Sequence, residues 1–185
     1  MIHILPLNKS NELKNYVDSG LIKRLDESRN IFVALGEKRY FLTFHWLDEK
    51  KVTLYADTKD FVLVTDSEGA AEAAKNIDIP DDGILQFHEF LLELTANDVY
   101  KLESLENMII SLEDNLLMDR TPSKEGIRDI IKVRKDLLKV KRYYEQMEFL
   151  TDELSAIDPS FGFIDKKFDR LLEFVLHLQE YIEQV

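Results

Sequence analysis

The stretch that decides the fold is residues 164–185, IDKKFDRLLEFVLHLQEYIEQV. Its apolar residues alternate at spacings of four and three, which places them on one face of a helix as a heptad seam. They are Ile164, Phe168, Leu171, Val175, Leu178, Ile182 and Val185. Such a seam needs a partner surface, and no glycine or cationic side chain closes the last turn. We therefore predict that Val185 is a cut end and that the chain acts within a longer, assembled protein.

The composition is that of an ordinary globular protein. With 185 residues, 45% of them apolar, the chain can build one core, or a core with a helical extension, without crosslinks. The sequence has no cysteine, which excludes disulfides, thiolate metal sites and cysteine nucleophiles. Its apolar runs are far shorter than the roughly 20 residues that cross a bilayer, and no signal peptide begins the chain. These features predict a soluble chain in a reducing, cytoplasmic setting.

The charges are strongly acidic overall and segregated along the sequence. The formal net charge of −12 repels nucleic-acid phosphates and attracts cations, so we expect no nucleic acid among the partners. Residues 84–119 contain eight carboxylates and one lysine, whereas residues 124–142 contain eight basic and three acidic side chains. Because like charges four residues apart repel within each helix, we predict an antiparallel hairpin that places the acidic helix against the basic one.

The first half of the sequence predicts a small sheet. β-branched and aromatic residues concentrate in four runs separated by polar turns, which indicates a four-stranded, mainly antiparallel sheet. The runs are 31–35, 40–46, 52–55 and 61–65. An alanine-rich helix is predicted for residues 68–75, packed on one face of the sheet. A short helix is predicted from a cap at Ser10 to Val17, ending near Gly20.

The second half predicts long helices. Apolar periodicity without proline or internal glycine favours one helix from Ile84 to Met118. A second helix, with Thr121 as its N-cap and Pro122 at its first position, is predicted to reach about Leu154. Asp158 as N-cap and Pro159 at the first helical position likewise predict the start of the third helix. The predicted fold is therefore α+β and helix-rich, with a small α/β subdomain in residues 1–83 and three long helices in residues 84–185.

Four segments, taken in order, resemble the cytoplasmic domain of the CorA family of divalent-cation transporters. They are residues 51–65 (KVTLYADTKDFVLVT), 102–116 (LESLENMIISLEDNL), 131–142 (IKVRKDLLKVKR) and 163–169 (FIDKKFD). In that family the last segment begins a stalk helix that continues into the membrane. A second membrane helix follows, and a Gly-Met-Asn tripeptide stands at the pore mouth of a homopentamer. The resemblance therefore implies a domain at the cytoplasmic face of the cell membrane, with self-association and a membrane segment outside this chain.

The resemblance also implies a regulatory cation, Mg²⁺ or another divalent ion. Family members bind it between subunits through aspartates, one of them at the start of the stalk helix. Asp165 and Asp169 are the nearest matches to that position, and Asp18 is the candidate carboxylate from a neighbouring subunit. The family spaces its aspartates by three rather than four, so both stalk residues stay candidates. The alternative for Asp165 and Asp169 is that they only favour the dipole of the helix they begin.

Two functions follow from these observations. The first is a cytoplasmic regulatory domain that senses cations between subunits and gates the pore of a CorA-like transporter. The second is a soluble helical scaffold or adaptor that binds a partner through the heptad face of residues 164–185. An enzyme is not expected, because the four histidines are scattered and no phosphate loop or nucleophile motif occurs.

Overall fold

The computed structural model describes residues 1–27, 30–118 and 123–185, and in them a five-stranded sheet is covered by helices. The strands are β1 (Ile2–Leu5), β2 (Ile31–Gly36), β3 (Arg39–His45), β4 (Lys51–Ala56) and β5 (Phe61–Thr65). Their order across the sheet is β1-β5-β4-β3-β2. Strand β1 pairs with β5 in parallel, and the other pairs are antiparallel.

Within the described residues, six α-helices accompany the sheet. They are α1 (Ser19–Glu27), α2 (Glu68–Lys75), α3 (Gly83–Leu94), α4 (Asp98–Met118), α5 (Lys124–Ile157) and α6 (Gly162–Gln184), with 3₁₀ segments at Leu7–Asn15 and Pro159–Phe161. Side-chain caps fix several starts: Ser67 caps α2, Asp82 caps α3 and Ser123 caps α5. No described helix is both long and apolar enough to cross a membrane.

The two faces of the sheet bury different sets of residues. Strand alternation sends Phe41, Tyr55, Val62 and Val64 to one face, where they pack with the 3₁₀ segment and α1. The opposite face joins the larger core, which continues through α2 and α3 into the seams of α4, α5 and α6. Helix α3 lies close to the β4–β5 turn, since a Cβ on Gly83 would stand 2.2 Å from the carbonyl oxygen of Asp57.

The four predicted strands and the alanine-rich helix are confirmed, and the fold is α+β and helix-rich as predicted. The sequence analysis missed β1, because four residues ahead of a proline carry too little pattern. The single helix predicted from Ile84 to Met118 is wrong, since α3 ends at Leu94 and α4 begins at Asp98. Thr95 is the C-cap of α3, and its hydroxyl donates to the Leu92 carbonyl oxygen at 2.9 Å.

The predicted N-terminal helix capped by Ser10 is also wrong. That residue lies inside the 3₁₀ segment, and the α-helix begins later, at Ser19, and runs through Gly20. The predicted cap at Thr121 and the proline after it lie outside the described residues. The described part of α5 begins at Lys124, where the Ser123 hydroxyl accepts a hydrogen bond from the Gly126 amide at 3.0 Å.

The heptad seam of α6 is satisfied inside the chain. Its apolar residues are buried at Ile164, Phe168, Leu171, Val175, Leu178 and Ile182, within the same core as the seams of α4 and α5. The expectation that this seam needs an external partner is therefore wrong. The alternative function, a scaffold or adaptor, was predicted to bind its partner through this heptad face, and the face is buried within the chain.

Candidate functional site

The predicted residues Asp165 and Asp169 lie on the side of α6 that meets α5, where they join an acidic group on the facing helix. The Thr151 hydroxyl of α5 donates to Asp165 Oδ1 at 3.0 Å, which fixes the first turn of α6 against α5. Glu148 and Asp152 are the nearby carboxylates of α5. Each helix contributes its two carboxylates at a spacing of four, so both pairs lie on one helical face. We call these four residues the acidic seam.

Burial and the charges of neighbouring carboxylates weaken the acidity of Asp165 and Glu148. Partial burial raises the pKa of Asp165, the hydroxyl of Thr151 opposes that rise, and the charges of Asp169 and Asp152 add to it. Burial likewise raises the pKa of Glu148, and three carboxylates of the acidic seam raise it further. The neighbouring carboxylates therefore disfavour the ionised forms of Asp165 and Glu148. A cation placed among them would relieve that repulsion.

The acidic seam is not a complete metal site by itself. Within residues 1–27, 30–118 and 123–185, no group of three or more histidine, aspartate or glutamate side chains is arranged to hold a metal ion. The chemistry of the donors nevertheless fits magnesium, which takes one or two carboxylates and keeps several waters.

Asp18 lies elsewhere in the chain. It precedes α1, and its Oδ1 accepts the amide of Gly20 at 3.4 Å. The neighbouring residues Val17, Leu21 and Ile22 pack against the sheet face opposite the one that joins α5 and α6. The structure therefore does not bring Asp18 together with the acidic seam within one copy of the chain.

The junction between α5 and α6 is a hydrogen-bonded hub at Asp158. Tyr40 of β3 donates its hydroxyl to Asp158 Oδ2 at 2.9 Å, and the Ser160 hydroxyl donates to Asp158 Oδ1 at 2.6 Å. Burial acts to raise the pKa of Asp158, but these hydrogen bonds and the nearby His88 outweigh it and lower the pKa. The hub ties the sheet to the first turn of α6.

His88 extends this hub to α3. Its ring stacks on Phe161 with centroids 3.9 Å apart, and its Nε2 lies 3.0 Å from Ser160 Oγ. Because the single hydroxyl proton of Ser160 is directed to Asp158, Nε2 of His88 is the donor to Ser160. Burial lowers the pKa of His88, while the charges of Asp158 and Asp82 oppose that shift.

A buried carboxylate that the sequence analysis did not single out begins α4. Asp98 is 1% exposed, and Tyr144 of α5 donates its hydroxyl to Asp98 Oδ2 at 2.9 Å. Burial raises the pKa of Asp98, whereas this hydrogen bond and the charges of Lys101 and Lys167 oppose the rise. The pair holds the start of α4 against the middle of α5.

Sequence reasoning also missed the α5 half of the acidic seam. Glu148 and Asp152 share the spacing of four that drew attention to Asp165 and Asp169. That shared spacing is the sequence feature from which Glu148 and Asp152 could have been predicted as candidates. It could not show that the two pairs face each other, because the alignment of α5 with α6 depends on the length and turn of the junction at Asp158.

Comparison with solved structures places this fold among known proteins. No protein-family model and no curated protein sequence matches the chain. Full-length CmaX superposes with a TM-score of 0.80 at 12% identity, covering 98% of this chain and 64% of its own. The ZntB cytoplasmic domain from Vibrio parahaemolyticus RIMD 2210633 superposes with a TM-score of 0.70 at 15% identity, covering 92% of this chain and 77% of its own.

A third similar structure is the complete CorA magnesium transporter from Methanocaldococcus jannaschii, with a TM-score of 0.70 at 16% identity. The match covers 96% of this chain and 63% of that transporter. This chain therefore spans slightly less than two thirds of the length of full-length CmaX and of the complete CorA transporter. The resemblance found in the sequence predicted this architecture, and its prediction of the fold is confirmed. The chain has the fold of the soluble domains of CorA, ZntB and CmaX proteins.

Proposed function

We propose that this chain is the cytoplasmic regulatory domain of a CorA-like transporter of magnesium or another divalent cation. The observation that carries the proposal is the acidic seam, which lies at the start of α6 in a fold shared with a magnesium transporter and with a ZntB cytoplasmic domain. In this proposal the chain senses the cation and performs no catalysis.

The proposed site is completed by a second copy of the chain. The acidic seam supplies one or two carboxylates, with Asp165 and Asp169 as the first candidates, and Asp18 of a neighbouring copy is the candidate from the other side. A bound cation bridges adjacent copies and favours the closed pore. When the ion leaves, the facing carboxylates repel one another, and the population shifts towards a splayed assembly, because only the closed state binds the cation well.

Magnesium titration of the chain tests this proposal. We expect heat of binding by calorimetry and a larger assembly by small-angle scattering as magnesium rises to millimolar concentration. The Asp165→Asn/Asp169→Asn variant should lose both responses. The Asp78→Asn/Asp81→Asn variant is the matched control, because it removes the same charge from an exposed turn away from α5 and α6.

Two results would contradict the proposal. One is an absence of binding and of any change in association up to millimolar magnesium. The other is equal binding by the wild type and the Asp165→Asn/Asp169→Asn variant, which would place the ion outside the acidic seam. Reading the coding sequence beyond Val185 tests the transporter part separately, since two apolar runs of about 20 residues are expected there.

A further inference from the structure

The outer face of α4 carries an apolar stripe flanked by carboxylates. Val99, Glu103, Ile110, Asp114 and Leu117 are all exposed, and their spacings of three, four and seven place them on one side of the helix. The three apolar members are between 40% and 78% exposed. We call this set the acidic stripe. It lies away from the buried seam of α4, which consists of Leu102, Ile109 and Leu112.

The outer face of α5 carries the complementary pattern. Ile127, Ile131, Arg134, Leu138 and Arg142 are exposed and recur at spacings of three and four. The three apolar members are between 40% and 47% exposed. We call this set the basic stripe. Each stripe therefore combines an apolar row with charges of a single sign, and the two signs are opposite.

Among the ion pairs that the structure describes, none includes a charged residue of either stripe. Among the residues described, no ion pair of 4 Å or less joins α4 to α5. The described ion pairs of α5 go to Glu49 from Lys139 and to Glu145 from Lys141. Both stripes thus remain exposed with unpaired charge, although the sequence analysis expected them to neutralise each other within one hairpin.

We propose that the acidic stripe of one copy docks on the basic stripe of a second copy of this chain. The argument is charge complementarity: the carboxylates of one helix face the guanidinium groups of the other, and the exposed apolar residues of both stripes are covered at the same time. The two stripes lie on different helices, so every copy offers both halves of the contact. The interface is separate from the proposed cation site, since no member of the acidic seam belongs to either stripe.

Charge reversal tests the proposal without relying on magnesium. The wild-type chain in low salt with a chelator should associate in analytical ultracentrifugation, at concentrations up to about 1 mM. The acidic-stripe variant Glu103→Lys/Asp114→Lys and the basic-stripe variant Arg134→Glu/Arg142→Glu should each associate on the order of tenfold more weakly, because like charges then face each other. Mixing the two variants should restore association, since the reversed charges then complement each other.

Two controls accompany this test. The Glu173→Lys/Glu180→Lys variant makes the same change of charge at exposed positions of α6 and should associate like the wild type. Circular dichroism of every variant checks that the helices are retained.

A wild type that stays monomeric at about 1 mM overturns the proposal. Association that the stripe variants leave unchanged also overturns it, and so does a mixture of the two variants in which association is not restored. Because a chelator is present throughout, failure here leaves the magnesium titration untouched, and the converse also holds.

Discussion

Helix α5 packs against two neighbours, and the two contacts differ in what holds them. Against α6 it presents a continuous apolar seam, a partly exposed hydrogen-bond network at Asp158 and the hydroxyl of Thr151 on Asp165. Against α4 it presents apolar residues and the Tyr144–Asp98 hydrogen bond, and among the described residues no ion pair joins the two helices. Buried apolar area therefore determines which helices pack together within the chain. The opposite charges of α4 and α5 instead identify surfaces that are available to a partner.

The seam of α6 should give the largest effect. Leu178→Ala removes a side chain that is fully buried, and we expect the free energy of unfolding to fall by about 2–5 kcal/mol through lost burial and the cavity that remains. Leu176→Ala makes the same change on the same helix at a side chain that is 39% exposed, and should cost about 0.5 kcal/mol or less. Urea denaturation measures both. Equal losses would mean that α6 is not held by its seam.

The polar contact between α4 and α5 should rank second. Tyr144→Phe removes the hydroxyl that donates to the buried Asp98, leaving the carboxylate short of a partner, and should lower the free energy of unfolding by about 1–3 kcal/mol. Tyr143→Phe is the matched control, because the buried Tyr143 hydroxyl makes no hydrogen bond of standard geometry. We expect that variant within about 0.5 kcal/mol of the wild type by urea denaturation. If both variants lose the same stability, the Asp98 contact is not what anchors α4.

The hub at the start of α6 should respond to pH. Burial lowers the folded-state pKa of His88 below its value of about 6.5 in the unfolded chain. The contribution of His88 to stability is therefore complete above about pH 6.5 and is lost as pH falls through the folded pKa, since the unfolded state takes up the proton first. The wild type should lose stability over this window in denaturation curves recorded at a series of pH values.

Replacing His88 shows how much of the pH dependence of the free energy of unfolding comes from this side chain. His88→Gln keeps an amide donor for Ser160 but does not titrate, so the loss of stability between about pH 6.5 and the folded pKa should become shallower. His177→Gln changes an exposed histidine of α6 and should leave the wild-type dependence unchanged. If His88→Gln keeps the full pH dependence of the wild type, the loss arises from other groups and the hub is not acid-sensitive.

These contrasts also show which features the sequence could predict. Runs of aromatic and β-branched residues predicted four strands, and the spacing of the apolar residues in 164–185 predicted the buried face of α6, because local patterns determine both. The partner of that face was not predictable from a helix taken alone. The break between α3 and α4 was missed because residues 95–97 contain no proline or glycine to mark the end of a helix. The carboxylates of α5 that face Asp165 were missed because their position depends on tertiary packing.

The smallest effect should come from the charges that the sequence made most conspicuous. Neutralising the acidic stripe with Glu103→Gln/Asp114→Asn and the basic stripe with Arg134→Gln/Arg142→Gln gives a double-mutant cycle on the free energy of unfolding. At low protein concentration, where one copy stands alone, the coupling between the two blocks should be below about 0.5 kcal/mol, since no described ion pair joins the helices. Urea denaturation at low and high salt measures it. A salt-sensitive coupling of about 1 kcal/mol or more would mean that α4 and α5 pair electrostatically within the chain, and the stripes would then have less charge to offer a second copy.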